Sequence, residues 1–394
     1  MKQRYYSLDV FRGATVALMI LVNNPGSWGH IYAPLEHAAW HGCTPTDLVF
    51  PFFLFAVGNA MSFVMPTFEK EGNAFFLKKV IKRTLLIFII GLFLNWSPFV
   101  LYNPDGHLVM KGWEWITKTN TIVGIRVMGV LQRIALSYFF ASCIVYYFKT
   151  KGAFVVSGII LLVYWFMGVA LGNATDPYSL QGFFGTNVDI NLFGQAHVYH
   201  GEGVAFDPEG LISTTAAIVQ VVFGYFVGQY IQQKGKTYEM LSNLFVAGIV
   251  LLLAGYCWDM VYPINKKIWT SSYTIYTTGL AIITITTLIY LIEFKEVKGA
   301  WSKFFDVFGK NPLFIFVLSG FLPRLLGLIR ITNSIDPITN KPVYVSPFGW
   351  FYEHICKNIA TDLRVGSLFY ALCMIAFYWS IVYVLDKKKI YIKV

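Results

Sequence analysis

Charge is the scarcest property of this 394-residue chain. Only 13% of its residues are Asp, Glu, Lys or Arg, 56% are hydrophobic, and the mean hydropathy is +0.57. A soluble domain carries roughly 25% charged residues, so a water-surrounded globule is excluded and an integral membrane protein is indicated. The net charge of +10 would suggest a nucleic-acid partner if the basic residues formed a continuous patch. They sit instead in short connectors between apolar runs, which excludes nucleic acid and leaves membrane lipids as the surroundings.

Other absences narrow the class further. The five cysteines are odd in number and irregularly spaced, with Cys143 and Cys373 inside apolar runs, so no disulfide framework is legible and a pairing among Cys43, Cys257 and Cys356 is left open. No cleavable leader is apparent, because Asp9 and Arg12 interrupt what would be its apolar core and no small-residue cleavage site follows; the first helix is expected to be a retained anchor. The sequence shows no short-period repeat, no soluble domain, no HExxH motif, no phosphate-binding P-loop and no dinucleotide fingerprint. The loop from Gly172 to Leu211 lacks Lys and Arg altogether, yet holds Asp176, Asp189, Glu202, Asp207 and Glu209.

What is present is a series of about ten apolar segments near the ~20 residues needed to cross a hydrocarbon core as helices. They lie near 6 to 24, 46 to 65, 80 to 97, 122 to 147, 153 to 171, 212 to 231, 243 to 259, 271 to 292, 309 to 328 and 366 to 385. The fold class expected is therefore an all-α integral membrane protein, one bundle over residues 1 to 394. With the N-terminus inside, Lys2, Arg4, the KEGNAFFLKKVIKR connector, FKTKG, QQKGK, FKEVKGAWSK and the terminal DKKKIYIK all fall on the cytoplasmic side. The positive-inside rule thus predicts cytoplasmic termini and an external loop from Gly172 to Leu211.

Polar residues inside such segments are expensive and generally face a cavity or a partner. The first helix supplies Asp9, Arg12 and Asn23; Arg12 and Asn23, eleven residues apart, share a face and are separated by roughly 16 Å along the axis. The piece IVGIRVMGVLQRIALSYFF adds Arg126, Gln132 and Arg133, and the two arginines, seven apart, are expected on one helical face. Snorkelling, or pairing of an arginine with Asp9, is the structural alternative. Two polar stripes in one bundle favour a lined cavity.

The stretch LEHAAWHGCTPTDLVFPFFLF concentrates chemistry at the edge of an apolar run. Thr44, Pro45 and Asp47 form the [ST]-x-x-[DE] signature of a helix start, which gives Asp47 a structural role beside that of orienting a histidine. His37 and His41 have the spacing of helical metal ligands, with Cys43 or His30 as further candidates, but no second cluster accompanies them, and no metal is expected. On the residues alone His37 is equally a packing histidine or a catalytic base.

Taken in order, RYYSLDVFRGATVALMILVNNPG, LEHAAWHGCTPTDLVFPFFLFAVG, GVLQRIALSYF, DPEGLISTTAAI, INKKIWTSSY and GKNPLFIF resemble the heparan-α-glucosaminide N-acetyltransferase family and its bacterial relatives, a branch of the transmembrane acyltransferases. The resemblance covers nearly the whole chain, and HAxWxGxxxxDLVFP is its specific part. It implies an enzyme that takes acetyl from cytosolic acetyl-CoA and delivers it to an amino sugar or glycan across the membrane, the cytoplasmic membrane if the source is bacterial. It also implies that His37 is the catalytic histidine and Asn23 an active-site asparagine, while Asp47, Gln132 and Arg133 fall on polar motifs. The extra luminal domain of the lysosomal member has no counterpart here, and WHG stands where that member has WNG, so the resemblance does not carry the acceptor.

The expected division of labour follows. Arg133, Gln132, Arg126 and Arg12, or the lysines of the cytoplasmic connectors, are the candidates for the acetyl-CoA donor, because phosphates need cationic donors. Trp40 and His41, with Asn265, Lys266 and Trp269 of the INKKIWTSSY piece, are the candidates for the acceptor. His37 would take the acceptor's proton, Asp47 would orient it, and Asn23 would donate to the carbonyl oxygen. A covalent acetyl-histidine relay is the competing chemistry, and a sugar transporter is the competing class, since helices with buried arginines and acidic outer loops serve either. A homodimer is left open.

Overall fold

Backbone amides surrounded by lipid must find partners within their own segment, and the apolar runs accordingly form helices. The computed structural model describes residues 5–103, 106–117, 121–337 and 340–392. Along the chain these form α1 (Tyr6–Asn23), α2 (Val49–Glu71), α3 (Asn73–Trp96), α4 (Val130–Leu171), α5 (Phe184–Phe193), α6 (Thr214–Lys234), α7 (Tyr238–Asp259), α8 (Ser271–Ile289), α9 (Ala300–Lys310), α10 (Pro312–Leu326), α11 (Pro347–His354) and α12 (Leu363–Lys387). Short antiparallel ribbons occupy connectors: β1 (Val100–Tyr102) with β2 (Leu108–Met110), β3 (Glu114–Ile116) with β4 (Ile122–Gly124), and β5 (Ile331–Ile335) with β6 (Pro342–Val345).

Among the described residues seven helices are long and apolar enough to cross a membrane: α1, Pro45–Glu71, α4, α6, α7, Ser271–Phe294 and α12. The pair α9 and α10, bent by 80°, makes an eighth when taken as one span. Helix α3 carries Lys78, Lys79, Lys82 and Arg83 in its first half. Helix α4 is 42 residues long, about 63 Å at 1.5 Å per residue, and is broken at Lys149, where φ is 56° and ψ is −176°. Lys2, Arg4 and Lys393, which entered the charge count above, lie outside the described residues.

One expected boundary moves substantially. The segment expected to be helical from residue 122 starts its helix only at Val130. Its backbone groups are taken elsewhere: Ile125 N donates to Trp113 O, Val127 N donates to His197 O, and Asn95 Nδ2 donates to the carbonyls of Arg126 and Met128. Residues 122–124 pair with β3. Tertiary partners outbid the helical ladder, so Arg126 stands in a loop and shares no helix face with Arg133.

The bundle packs by close backbone approach. A Cβ on Gly58 would sit 2.0 Å from Val221 O, and one on Gly224 would sit 2.1 Å from Phe55 O, so α2 and α6 meet as only small residues permit. Both described termini lie at one end: Ser7 N donates to Glu293, Asn311 bonds Ile390 and Ile392, and Lys310 pairs with Asp306 and Asp386. The connectors 24–48, 97–103, 106–117, 121–129, 172–213 and 260–270 gather at the opposite end, tied by Trp40 to Tyr178, Gly42 to Ile264 and Val127 to His197.

Candidate active site

The helix start anticipated at Thr44 is built as a 3-10 turn over Pro45–Leu48 that leads into α2. Its Asp47 is 1% exposed, and its two oxygens divide their work. Oδ2 accepts from Ala38 N and Thr44 N, each at 3.0 Å, and from Thr44 Oγ1 at 3.1 Å. Oδ1 lies 2.7 Å from His37 Nδ1. Asp47 therefore caps the turn and orients the ring with the same carboxylate. As an acceptor it fixes the proton on Nδ1, which leaves the lone pair on Nε2. The His37 side chain is 40% exposed, so that lone pair is reachable.

Lys266 reaches the same place from the connector between α7 and α8. Its Nζ lies 3.5 Å from Asp47 Oδ1, and it is 3.0 Å from His37 Nδ1 and 3.3 Å from Nε2. Burial pushes the Lys266 pKa down, while Asp47 and Glu209 hold its charge in place. The two connectors meet because Gly42 adopts the left-handed backbone, φ +105°, and donates to Ile264 O at 2.7 Å, forming a bridge to Asn265. Asn265 organises its own turn, accepting from Ile268 N, and places its amide 3.4 Å from His41 Nδ1. Burial also pushes the His41 pKa down.

Trp40 donates to Tyr178 O at 2.8 Å, and its ring centre lies 5.5 Å from that of Phe206. Lys267 ties this loop down through Ala39 O and Glu202. Trp269 is fully buried, and its ring lies beneath the Arg133 guanidinium at 4.8 Å. His37, Asp47 and Lys266 thus converge, His41, Asn265 and Trp40 surround the turn, and Trp269 belongs to the layer behind it.

The arginines expected to hold the donor are engaged at this same end. Arg126 bonds Asp207 at 2.9 Å and 2.5 Å and also pairs with Glu209. Arg133, fully buried, donates to Pro208 O at 2.7 Å, to Ser213 Oγ and to Thr214 Oγ1 at 3.3 Å. Both clamp the 207–214 segment ahead of α6. Gln132 is buried against Gly91, with its amide nitrogen unpartnered among the described residues.

A cavity of about 570 Å3 joins the two ends of the bundle. Near the connectors it is lined by His37, Asn23, Glu209 and Lys266, and towards the termini by Arg12, Arg83 and Lys310, with Phe50, Phe53, Leu131, Ile134 and Phe316 among its apolar walls. Arg12 and Asn23 share a face as expected, so the cavity follows α1 for roughly 16 Å. Arg12 donates to Gly309 O and pairs with Asp9 at 2.7 Å. Arg83 lies over the Tyr138 ring at 4.8 Å, and its Nε is buried without a partner among the described residues.

Sequence reasoning passed over Arg83, Lys310 and Glu209. Arg83 read as a topology charge and Lys310 only as part of the GKNPLFIF piece, and the signal that Arg83 faces inward was its helical register with Ile87, four residues on, which lines the same cavity. Among the described residues no group of three or more His, Cys, Asp or Glu side chains is placed to hold a metal, and all five cysteines are free thiols. Burial pushes the Cys43 thiol up to about 12.

No family model matches the chain. Heparan-alpha-glucosaminide N-acetyltransferase of Homo sapiens is 27% identical to it over 441 aligned positions, covering 96% of this chain. The Mus musculus protein of the same name is 26% identical over 453 positions, covering 99%. The chain spans 60% of the length of each of these relatives.

Proposed function

Taking the chain as a distant relative of the heparan-alpha-glucosaminide N-acetyltransferases, we propose that it is a transmembrane acetyltransferase. Acetyl from acetyl-CoA passes to an amino sugar or glycan, at an amine or hydroxyl, on the other side of the membrane. Residues 1 to 394 act as one unit of about ten spans, with α4 folded into two at Lys149 and both termini cytoplasmic. The observation that carries this reading is one cavity with cations at the terminal end and the His37 and Asp47 pair at the other.

The donor enters from the terminal end. Arg83, which has no carboxylate partner among the described residues, meets its phosphates, beside Lys310 and Arg12, which are already paired with Asp306, Asp386 and Asp9; a guanidinium offers phosphate a bidentate fork. The donor role expected of Arg126 and Arg133 passes to this end of the cavity, because Arg126 is paired with Asp207 and Glu209 and Arg133, whose Nη1 alone lacks a partner among the described residues, is fully buried against Pro208, Ser213 and Thr214. The apolar walls admit the uncharged arm of the donor and exclude water, which limits hydrolysis of the thioester.

At the far end the acceptor nitrogen or oxygen attacks the thioester carbon. His37 Nε2 takes the proton it sheds, and Asp47 stabilises the imidazolium through Nδ1–H. Charge developing on the carbonyl oxygen is met by Asn23. As the carbon–sulfur bond breaks, the proton on Nε2 passes to the departing thiolate, leaving an acetylated acceptor, free thiol and neutral His37. Lys266 keeps Asp47 ionised, and Trp40, His41 and Asn265 shape the acceptor's entrance.

Purified protein given labelled acetyl-CoA and glucosamine is expected to release free CoA in step with labelled N-acetyl sugar. Uptake of the sugar into sealed vesicles without CoA turnover would establish a transporter instead.

A further inference from the structure

A second cavity, of about 660 Å3, opens among the connectors beside Arg126. Arg126 lines it, while its partner Glu209 lines the cavity of His37, so one ion pair forms the partition between the two. Its walls include Tyr102, Trp115 and Tyr199, and its remaining cations are Lys111 and Arg324.

The charge balance across this cavity is uneven. Arg126 has two carboxylates, but no carboxylate among the described residues pairs with Lys111 or Arg324. Both cations converge on one residue instead: Lys111 Nζ donates to Ser97 O at 3.3 Å and Arg324 Nη1 to Ser97 Oγ at 3.3 Å, with Leu94 O as a second acceptor for the arginine. Burial, and then the like charge of Arg324, holds the Lys111 pKa below its usual value. Surface cations ordinarily diverge into water; two that converge on neutral acceptors in a half-buried hollow leave room for an anion.

The surrounding rings add a second requirement. Lys111 lies 5.2 Å from the centre of the Trp115 ring, and Arg126 lies 4.7 Å from that of Tyr199. Aromatic rings beside cations suit a ligand with both an apolar ring face and a negative substituent. We propose that this cavity binds an anionic sugar, carboxylated or phosphorylated, with its charged group between Lys111 and Arg324 and its ring against Trp115; the Tyr102 ring is already covered by Arg330 at 3.2 Å and serves as wall only. A lipid headgroup shares the anion chemistry, but most of the wall here comes from connector residues within 97–102, 111–117, 126 and 199, with Asn95 and Arg324 added from the ends of α3 and α10. Resting on the acetyltransferase reading, the site holds an acidic unit of the acceptor one partition away from His37, so that charged glycans are selected over neutral ones.

Binding tests this without any chemistry, using the full chain in zwitterionic nanodiscs and no acetyl donor. The probes are tri-galacturonate against its methyl ester, and a hexose 6-phosphate against the free hexose. At least one charged member is expected to bind about tenfold tighter than its neutral partner, as loss of a charge-assisted contact implies. Lys111→Gln should remove that preference, Lys111→Arg should keep it, and His37→Ala should leave it unchanged. Arg324→Gln should act like Lys111→Gln if it runs as a single species, and the lysine variants decide the matter if it does not. The proposal falls if neither pair shows a preference, if Lys111→Gln retains it, or if inorganic phosphate binds as tightly as the hexose phosphate. It also falls if only nanodiscs containing phosphatidylglycerol change the Trp fluorescence. Acetyl transfer to neutral glucosamine, measured separately, reports on the enzyme reading and not on this site.

Discussion

Replacing Asp47 by Asn changes one atom's chemistry and leaves the shape. Oδ2 receives three donors, from Ala38 N, Thr44 N and Thr44 Oγ1, so an asparagine must keep its carbonyl oxygen there. Its NH2 then occupies the Oδ1 position, 2.7 Å from His37 Nδ1. Two donors cannot face each other, so the imidazole shifts its proton to Nε2 and Nδ1 becomes the acceptor. The ring stays in place with the wrong tautomer, its acceptor nitrogen turned away from the substrate. A serine-protease triad with the same change loses ~10⁴ in turnover, and loss of a general base altogether costs ~10² to 10⁴. The Asp47→Asn variant is therefore expected to retain its fold and lose acetyl transfer by about 10² to 10⁴, or roughly 3–5 kcal/mol of barrier. His37→Ala should lie in the same range. CoA binding should be nearly intact in both, because neither residue belongs to the cationic end of the cavity. The assay is release of free CoA in the presence of glucosamine, beside equilibrium binding of CoA. Turnover of Asp47→Asn within threefold of the unaltered protein would refute the tautomer argument and leave Asp47 as a cap alone.

Three further outcomes are expected. A cysteine placed in the 172–211 loop should react with an impermeant thiol reagent from outside intact cells, and labelling only after permeabilisation would reverse the topology. Arg83→Ala should weaken CoA binding about tenfold or more, with Arg83→Lys recovering part of it; Arg133→Ala should instead lower the melting temperature, because it strips Pro208 O, Ser213 and Thr214 of their buried donor, and the reverse pattern in the two variants would return the donor site to Arg133. Burial, supported by the nearby Asp207 and opposed by the Leu211 amide and by Arg133, raises Asp189 from 3.8 to about 7. A raised acid contributes stability that is full below its unfolded pKa and lost as pH climbs through the folded one, so the melting temperature should fall between pH 4 and pH 7, and Asp189→Asn should flatten that slope; equal slopes in both proteins would remove Asp189 from the account.

The sequence by itself determined the helical membrane character, because scarce charge and long apolar runs leave the backbone no other way to satisfy its amides. It determined the turn at Thr44 to Asp47 and its bond to the histidine region, since capping is local chemistry within a few residues. It also determined that Arg12 and Asn23 share a face, which follows from helical register alone. Tertiary structure decided the rest. Residues 122–129 are not helical because Asn95, Trp113 and His197 take their backbone groups, a competition between segments that no local window registers. Lys266 meets His37 across 229 positions of chain only because Gly42 and Ile264 dock their connectors. Arg126 and Arg133 read as candidates for the donor in the sequence, but the 207–214 segment folds back onto them, whereas Arg83 reads as a connector charge yet faces the cavity. Charge neutralisation depends on distances of a few ångströms between elements far apart in the chain, and those distances exist only once the bundle has packed.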